Sequence, residues 1–175
     1  MFKAVYLILT QFLLLYLQLE LGNIGWALPL AQLGALYAVL AFGRNWGAGA
    51  ALFSSAVLCG LYGGSWNVLY PLANTLLALI LGWWIDRHDE DVRPDFWTPG
   101  AWAGLLAGLP AIMNLLSSWV LTGRYPQQLH WVLLQSLWCT VVSAALFLLF
   151  IVLGEVQMEF LGLPRFMTRK GGHKR

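Results

Sequence analysis

The chain has 175 residues, of which 59% are hydrophobic and only 10% charged. A water-soluble domain carries roughly a quarter charged residues, so the composition excludes an ordinary soluble fold, and a formal net charge of +2 does not point to nucleic acid. The charge is missing in long blocks, and blocks of about 20 apolar residues are what a bilayer core requires. The expectation is an all-α integral membrane protein forming one bundle.

Six spans are expected, over residues 2–19, 24–42, 46–62, 68–85, 97–121 and 131–153, followed by a basic tail over 154–175. The first starts with Lys3 and an apolar run, as a secretory signal does, but it runs into "QLELGN". A cleavable signal ends in small residues, so this segment is read as a retained helix. Spans two and three are short and glycine-rich, which leaves a re-entrant pair as the alternative to two crossings. Tryptophan prefers the membrane–water interface, and Trp26, Trp46, Trp66, Trp83, Trp84, Trp97, Trp119 and Trp131 fall near span ends.

Lys3, Arg44, Arg87, Arg93, Arg165, Arg169, Lys170, Lys174 and Arg175 fall on one side of the six-span arrangement, and Arg124 alone falls on the other. Cytoplasmic loops are enriched in Lys and Arg, so both termini are expected in the cytoplasm. "WWIDRHDEDVRPDFW", residues 83 to 97, holds five of the eight acidic residues. Its His88, Asp89, Glu90 and Asp91 are consecutive, so they do not share a helix face, and Pro94 suits an exposed turn. A solvated loop explains the segment better than a metal site, which needs fixed geometry and a second shell.

No Asp, Glu, Lys, Arg or His lies in the middle of a span. Such groups mark ion pathways and proton relays, so a pump or ion-coupled transporter is not expected. Cys59 and Cys139 sit in apolar stretches and read as packing residues. Ser65 in "GGSW" and the distant His130 are the nearest approach to a nucleophile and base. Trp66 stands where a rhomboid-type G-x-S-G sequence has its last glycine, so no enzyme is expected and no cofactor is implied. In the fifth span, Gly100, Gly104 and Gly108 recur at steps of four. Small residues at that spacing let a second helix approach closely, either within the bundle or from a partner. Asn74 and Asn114 fall at similar depth, Gln135 about a turn nearer the surface, and all three lie in the outer half of the bilayer. This layer either knits the bundle together or lines an outward-facing pocket.

The stretch "ALFSSAVLCGLYGGSWNVLYPLANTLLALILGWWIDR", in a short six-span chain without embedded charge, resembles the rod shape-determining protein MreD family. The matching pieces are Gly60, Gly63, Gly64 and Ser65, then Leu69 to Leu81, then Arg87. The family often has an acidic residue near a "GLxxD" sequence, where this chain has "CGLYGGS". The resemblance implies a non-enzymatic scaffold in the bacterial inner membrane, part of the cell-elongation machinery that builds peptidoglycan. It implies binding to MreC, a single-span protein, and through it a link to MreB, RodA and a class B penicillin-binding protein. Six spans of this length are also similar to the substrate-binding S component of an energy-coupling-factor vitamin transporter. Those proteins carry alanines at four-residue spacing on the first helix, whereas this first helix has Ala4 as its only small residue.

Overall fold

Where no water is at hand, a backbone must satisfy its own N–H and C=O groups, and runs of Leu, Ala and Val without internal proline do so as helices. The structure is a computed structural model, and it describes residues 2–24, 28–62, 69–87, 104, 119, 123 and 129–163. Among the described residues every element is a helix and none is a strand. The helices are α1 (Phe2–Asn23), α2 (Leu30–Phe42), α3 (Arg44–Tyr62), α4 (Leu69–Arg87) and α5 (Leu129–Phe160). Gly104 and Trp119 are also helical. The rest of the expected fifth span, residues 88–95 of the acidic loop and the tail beyond 163 lie outside the described residues.

Among the described residues, two helices are long and apolar enough to cross a membrane. They are Lys3–Asn23, of mean hydropathy 1.7, and Leu137–Phe160, of mean hydropathy 2.5. Only 17% and 22% of their apolar windows are buried inside the structure, whereas the core helix of a soluble protein is mostly buried. α1 turns Leu9, Phe12 and Leu13 outward, and α5 turns Trp138, Val141 and Leu149 outward.

α2 differs from the expected second span. Its 13 residues extend about 20 Å, against a bilayer core of about 30 Å. It starts at Leu30 because Pro29 precedes it as an N-cap without a side-chain hydrogen bond. Every residue from Leu30 to Ala41 is buried, and α2 packs against each of the other four helices. A helix that is apolar on all sides belongs in such a position. α5 is longer than expected, at 32 residues, or about 48 Å. It ends where Gly162 takes a φ of +63°. The Leu163 N–H then reaches the Met158 carbonyl at 2.9 Å and the Gly162 N–H reaches Glu159 at 3.2 Å, a Schellman cap. Pro164 follows at once.

The joint between α2 and α3 is a single residue, Gly43, with φ +98°. Its N–H returns to the Val39 carbonyl at 3.0 Å. Only glycine adopts this φ without strain. Four residues on, a Cβ at Gly47 would stand 2.7 Å from the Val39 backbone, so the two helices leave the corner in near contact. The Tyr6 and Phe42 rings meet at 6.3 Å, and a Cβ on Gly82 would lie 2.3 Å from the Arg44 Cβ. A Cβ on Gly154 would lie 2.4 Å from the Tyr37 ring. The start of α1, the α2–α3 corner and the ends of α4 and α5 therefore gather at one end of the bundle. Lys3, Arg44 and Arg87, the described basic residues, all lie there; it is called the basic end below.

Candidate functional site

Polar side chains in an apolar bundle need partners, because an unpaired amide in hydrocarbon costs several kcal/mol. α1 supplies two amides seven residues apart, Gln11 and Gln18, on one helix face. Gln11 is 2% exposed. With its amide oriented to satisfy both neighbours, its nitrogen donates to the Ala31 carbonyl at 3.1 Å and its oxygen accepts the Ala35 N–H at 3.1 Å. It reaches that backbone because Ala31, Gly34 and Ala35 leave it bare. A Cβ on Gly34 would lie 2.3 Å from Leu14 Cδ1. Gln18 Oε1 accepts the Ala31 N–H at 3.0 Å, one of the donors that a helix start leaves unsatisfied. From the other side, Gln32 Nε2 of α2 donates to the Tyr70 hydroxyl of α4.

Asn74 is buried, and its Nδ2 donates to the Tyr70 carbonyl at 3.0 Å. Thr75 donates likewise to the Pro71 carbonyl at 2.7 Å. Both are bonds to the preceding turn of their own helix. Of the expected outer layer, Asn114 lies outside the described residues. Gln135 lies on α5, and its side chain is outside the described ones. The layer that the structure describes is thus Gln11, Gln18, Gln32 and Tyr70, with Asn74 beside them. The sequence signal for it was present: two glutamines at heptad spacing in an apolar helix, and a row of small residues, Ala31, Gly34, Ala35, Ala38 and Ala41, in the next.

Gly104 is buried, and a Cβ there would lie 2.6 Å from the Thr140 carbonyl oxygen of α5. This position packs against the same chain. Gly100 and Gly108 lie outside the described residues. Gly60, part of the family resemblance, faces open space with nothing within 4 Å of its Cβ position, and Gly63, Gly64 and Ser65 lie outside the described residues. His130 is exposed, its ring 5.4 Å from that of Trp131. Among the described residues, no group of three or more His, Cys, Asp or Glu is placed to hold a metal.

A further polar contact between helices joins Tyr37 to Glu155, whose Oε1 accepts the phenol at 3.1 Å. It ties α2 to the basic end of α5, two residues past the expected end of the sixth span. Among the described residues, grooves open on the outside along α5 and between α3 and α4. One, of about 510 Å³, lies on the first half of α5 and is lined by Trp131, Leu134, Leu137, Trp138 and Val141. The other, of about 460 Å³, lies at the basic end between α3 and α4 and is lined by Arg44, Asn45, Leu76, Leu79, Ile80 and Trp83. Asn74 lines neither.

These features define an all-helical protein with two helices long and apolar enough to cross a membrane, knit by side-chain amides and close glycine contacts. Compared with known protein families, with characterised proteins and with solved structures, the chain matches none.

Proposed function

We propose that the chain is a non-enzymatic, multi-pass scaffold subunit of a membrane complex, and that the outer half of α5 receives a partner's transmembrane helix. The observation that carries this reading is the α5 groove. Its walls are two tryptophans seven residues apart with two leucines between them and Val141 beyond, all turned outward. Aromatic anchors in a pocket are the usual centre of a protein interface. Gln11, Gln18 and Gln32 are engaged in holding helices together, and Asn74 is bonded to its own helix, which suits a structural interior better than a substrate path.

The narrower proposal follows the family resemblance. The chain is then an MreD-type component of the bacterial cell-elongation complex in the inner membrane, and the helix on α5 is that of an MreC-like protein. It crosses six times with both termini in the cytoplasm, and Lys3, Arg44 and Arg87 at one end support that orientation.

Affinity capture of the tagged full chain is the test. A single-span MreC-like protein should co-purify, and Leu134→Ala with Trp138→Ala should release it while the chain stays folded. A retained vitamin-sized molecule, lost with Asn74→Leu, would replace this reading with the transporter one. Orientation is read by thiol labelling of His88→Cys and Tyr125→Cys, with Cys59 and Cys139 replaced by alanine. Position 125 should label from outside and position 88 should not.

A further inference from the structure

The groove at the basic end has a direction. On α4, Leu76, Leu79, Ile80 and Trp83 recur at helical spacing and form one strip. Leu76, Ile80 and Trp83 are exposed. Arg87, one turn further, places its guanidinium carbon 4.7 Å over the Trp83 ring. Across the groove, α3 begins with Arg44 and Asn45. One half of the groove is therefore aliphatic, and the half nearer the basic end is cationic and amide-bearing.

Arg44 is held in place from behind. It follows the Gly43 corner directly, and its Cβ lies against Gly82 of α4 with no room for a side chain between them. Its side chain is exposed, and among the described residues it has no ion pair or side-chain hydrogen bond. It is the only charged side chain among the described residues lining the groove. Asp86 neighbours Arg87 in sequence but does not line the groove. The volume of about 460 Å³ falls among those of small-molecule sites, about 300–1,000 Å³.

We infer that this groove is a binding site for one anionic phospholipid. The phosphate lies at Arg44 and Asn45, with Arg87 beyond Trp83 adding charge, and an acyl chain runs along Leu76, Leu79 and Ile80. An amphiphile matches the groove because the groove itself is apolar at one half and cationic at the other. Tryptophan between them sits where interfacial tryptophans sit, at headgroup level. The inference rests on the membrane placement in the proposed function and not on the identity of the partner.

Native mass spectrometry of the full chain, released from bilayers holding phosphatidylglycerol and phosphatidylcholine with the same acyl chains, tests it. The wild type should retain phosphatidylglycerol in preference. Arg44→Gln should lower that retention about fivefold, the equivalent of one basic residue near an anionic surface, and Arg44→Lys should recover most of it. Ile80→Trp, which fills the aliphatic half, should lower retention of both lipids. Lys3→Gln removes the same charge from the same end but outside the groove, and should change nothing. Equal retention of the two lipids by the wild type would overturn the site. So would a Lys3→Gln effect as large as that of Arg44→Gln. Should Arg44→Gln fail to fold, unchanged retention in a folded Ile80→Trp variant would overturn it alone. Selective lipid retention without a captured partner would sink the scaffold reading and leave this site standing.

Discussion

α2 and α5 are both apolar along most of their length, yet they occupy opposite places. α2 is buried at every position from Leu30 to Ala41. α5 buries one narrow stripe, Ser143, Phe147, Ile151 and Met158, and turns Trp131, Trp138, Val141, Leu149, Val152 and Val156 outward. Hydrophobicity does not sort inside from outside on these two helices; their packing partners do. The buried helix carries alanine and glycine at Ala31, Gly34, Ala35, Ala38 and Ala41, which let neighbouring helices come close. On the exposed helix, Ser143 is buried and Gly154 lies against Tyr37, while Ala145 is exposed. Where lipid is as apolar as leucine, helices associate by close packing and hydrogen bonds.

The sharpest way to break this contrast is Gly47→Leu. The new Cβ would meet the Val39 backbone at 2.7 Å, which no rotamer change relieves. Overpacking of that kind costs about 3 kcal/mol or more, so the monodisperse fraction in detergent should collapse. Leu149→Ala on the outward side of α5 should shift the melt by less than about 0.5 kcal/mol. Equal behaviour of the two variants would remove the distinction between a packed α2 and an outward-facing α5.

Gly104→Leu comes next, at about 2 kcal/mol, because its Cβ meets the Thr140 carbonyl of α5. Leu105→Val is the control. If neither lowers the folded fraction, the inward side of α5 is not sealed at Thr140. Gln11→Leu should cost about 1–2 kcal/mol, near the upper end for interhelical hydrogen bonds in membranes, since two bonds to the α2 backbone vanish together. A thermal melt indistinguishable from wild type would show that α2 is held by packing alone. Asn74→Leu should have the smallest effect, about 0.6 kcal/mol or less, and should leave partner capture intact. Its single described bond stays within α4.

The positions of most helices were legible in the sequence. α3 and α4 fall within two residues of the expected spans, and α5 runs past its expected end because nothing interrupts it before Gly162. The length of α2 was not legible from hydropathy, because the apolar run begins before Pro29 and the helix begins after it. Asn74 is buried, and its bond to its own helix could not be read from spacing. The role of the α1 amides does not show in α1 itself, because Gln11 and Gln18 act through the bare backbone of a different helix. The same small-residue spacing singled out around Gly104 also occurs in α2, where it accompanies the most buried helix described.

The one-residue joint at Gly43 also bears on the order in which the chain assembles. Bringing the ends of a flexible connection together costs more entropy as it lengthens, and pairings close in sequence form fastest. α2 and α3 are joined by the shortest connection described, so theirs is the pairing with the least chain entropy to lose. α2, at 13 residues, is too short to nucleate and persist well alone, so it forms most readily as one arm of this hairpin. The α2 faces on which Gln11, Gln32 and Tyr37 make their contacts to α1, α4 and α5 are thereby presented together, and the remaining helices dock onto a template already made.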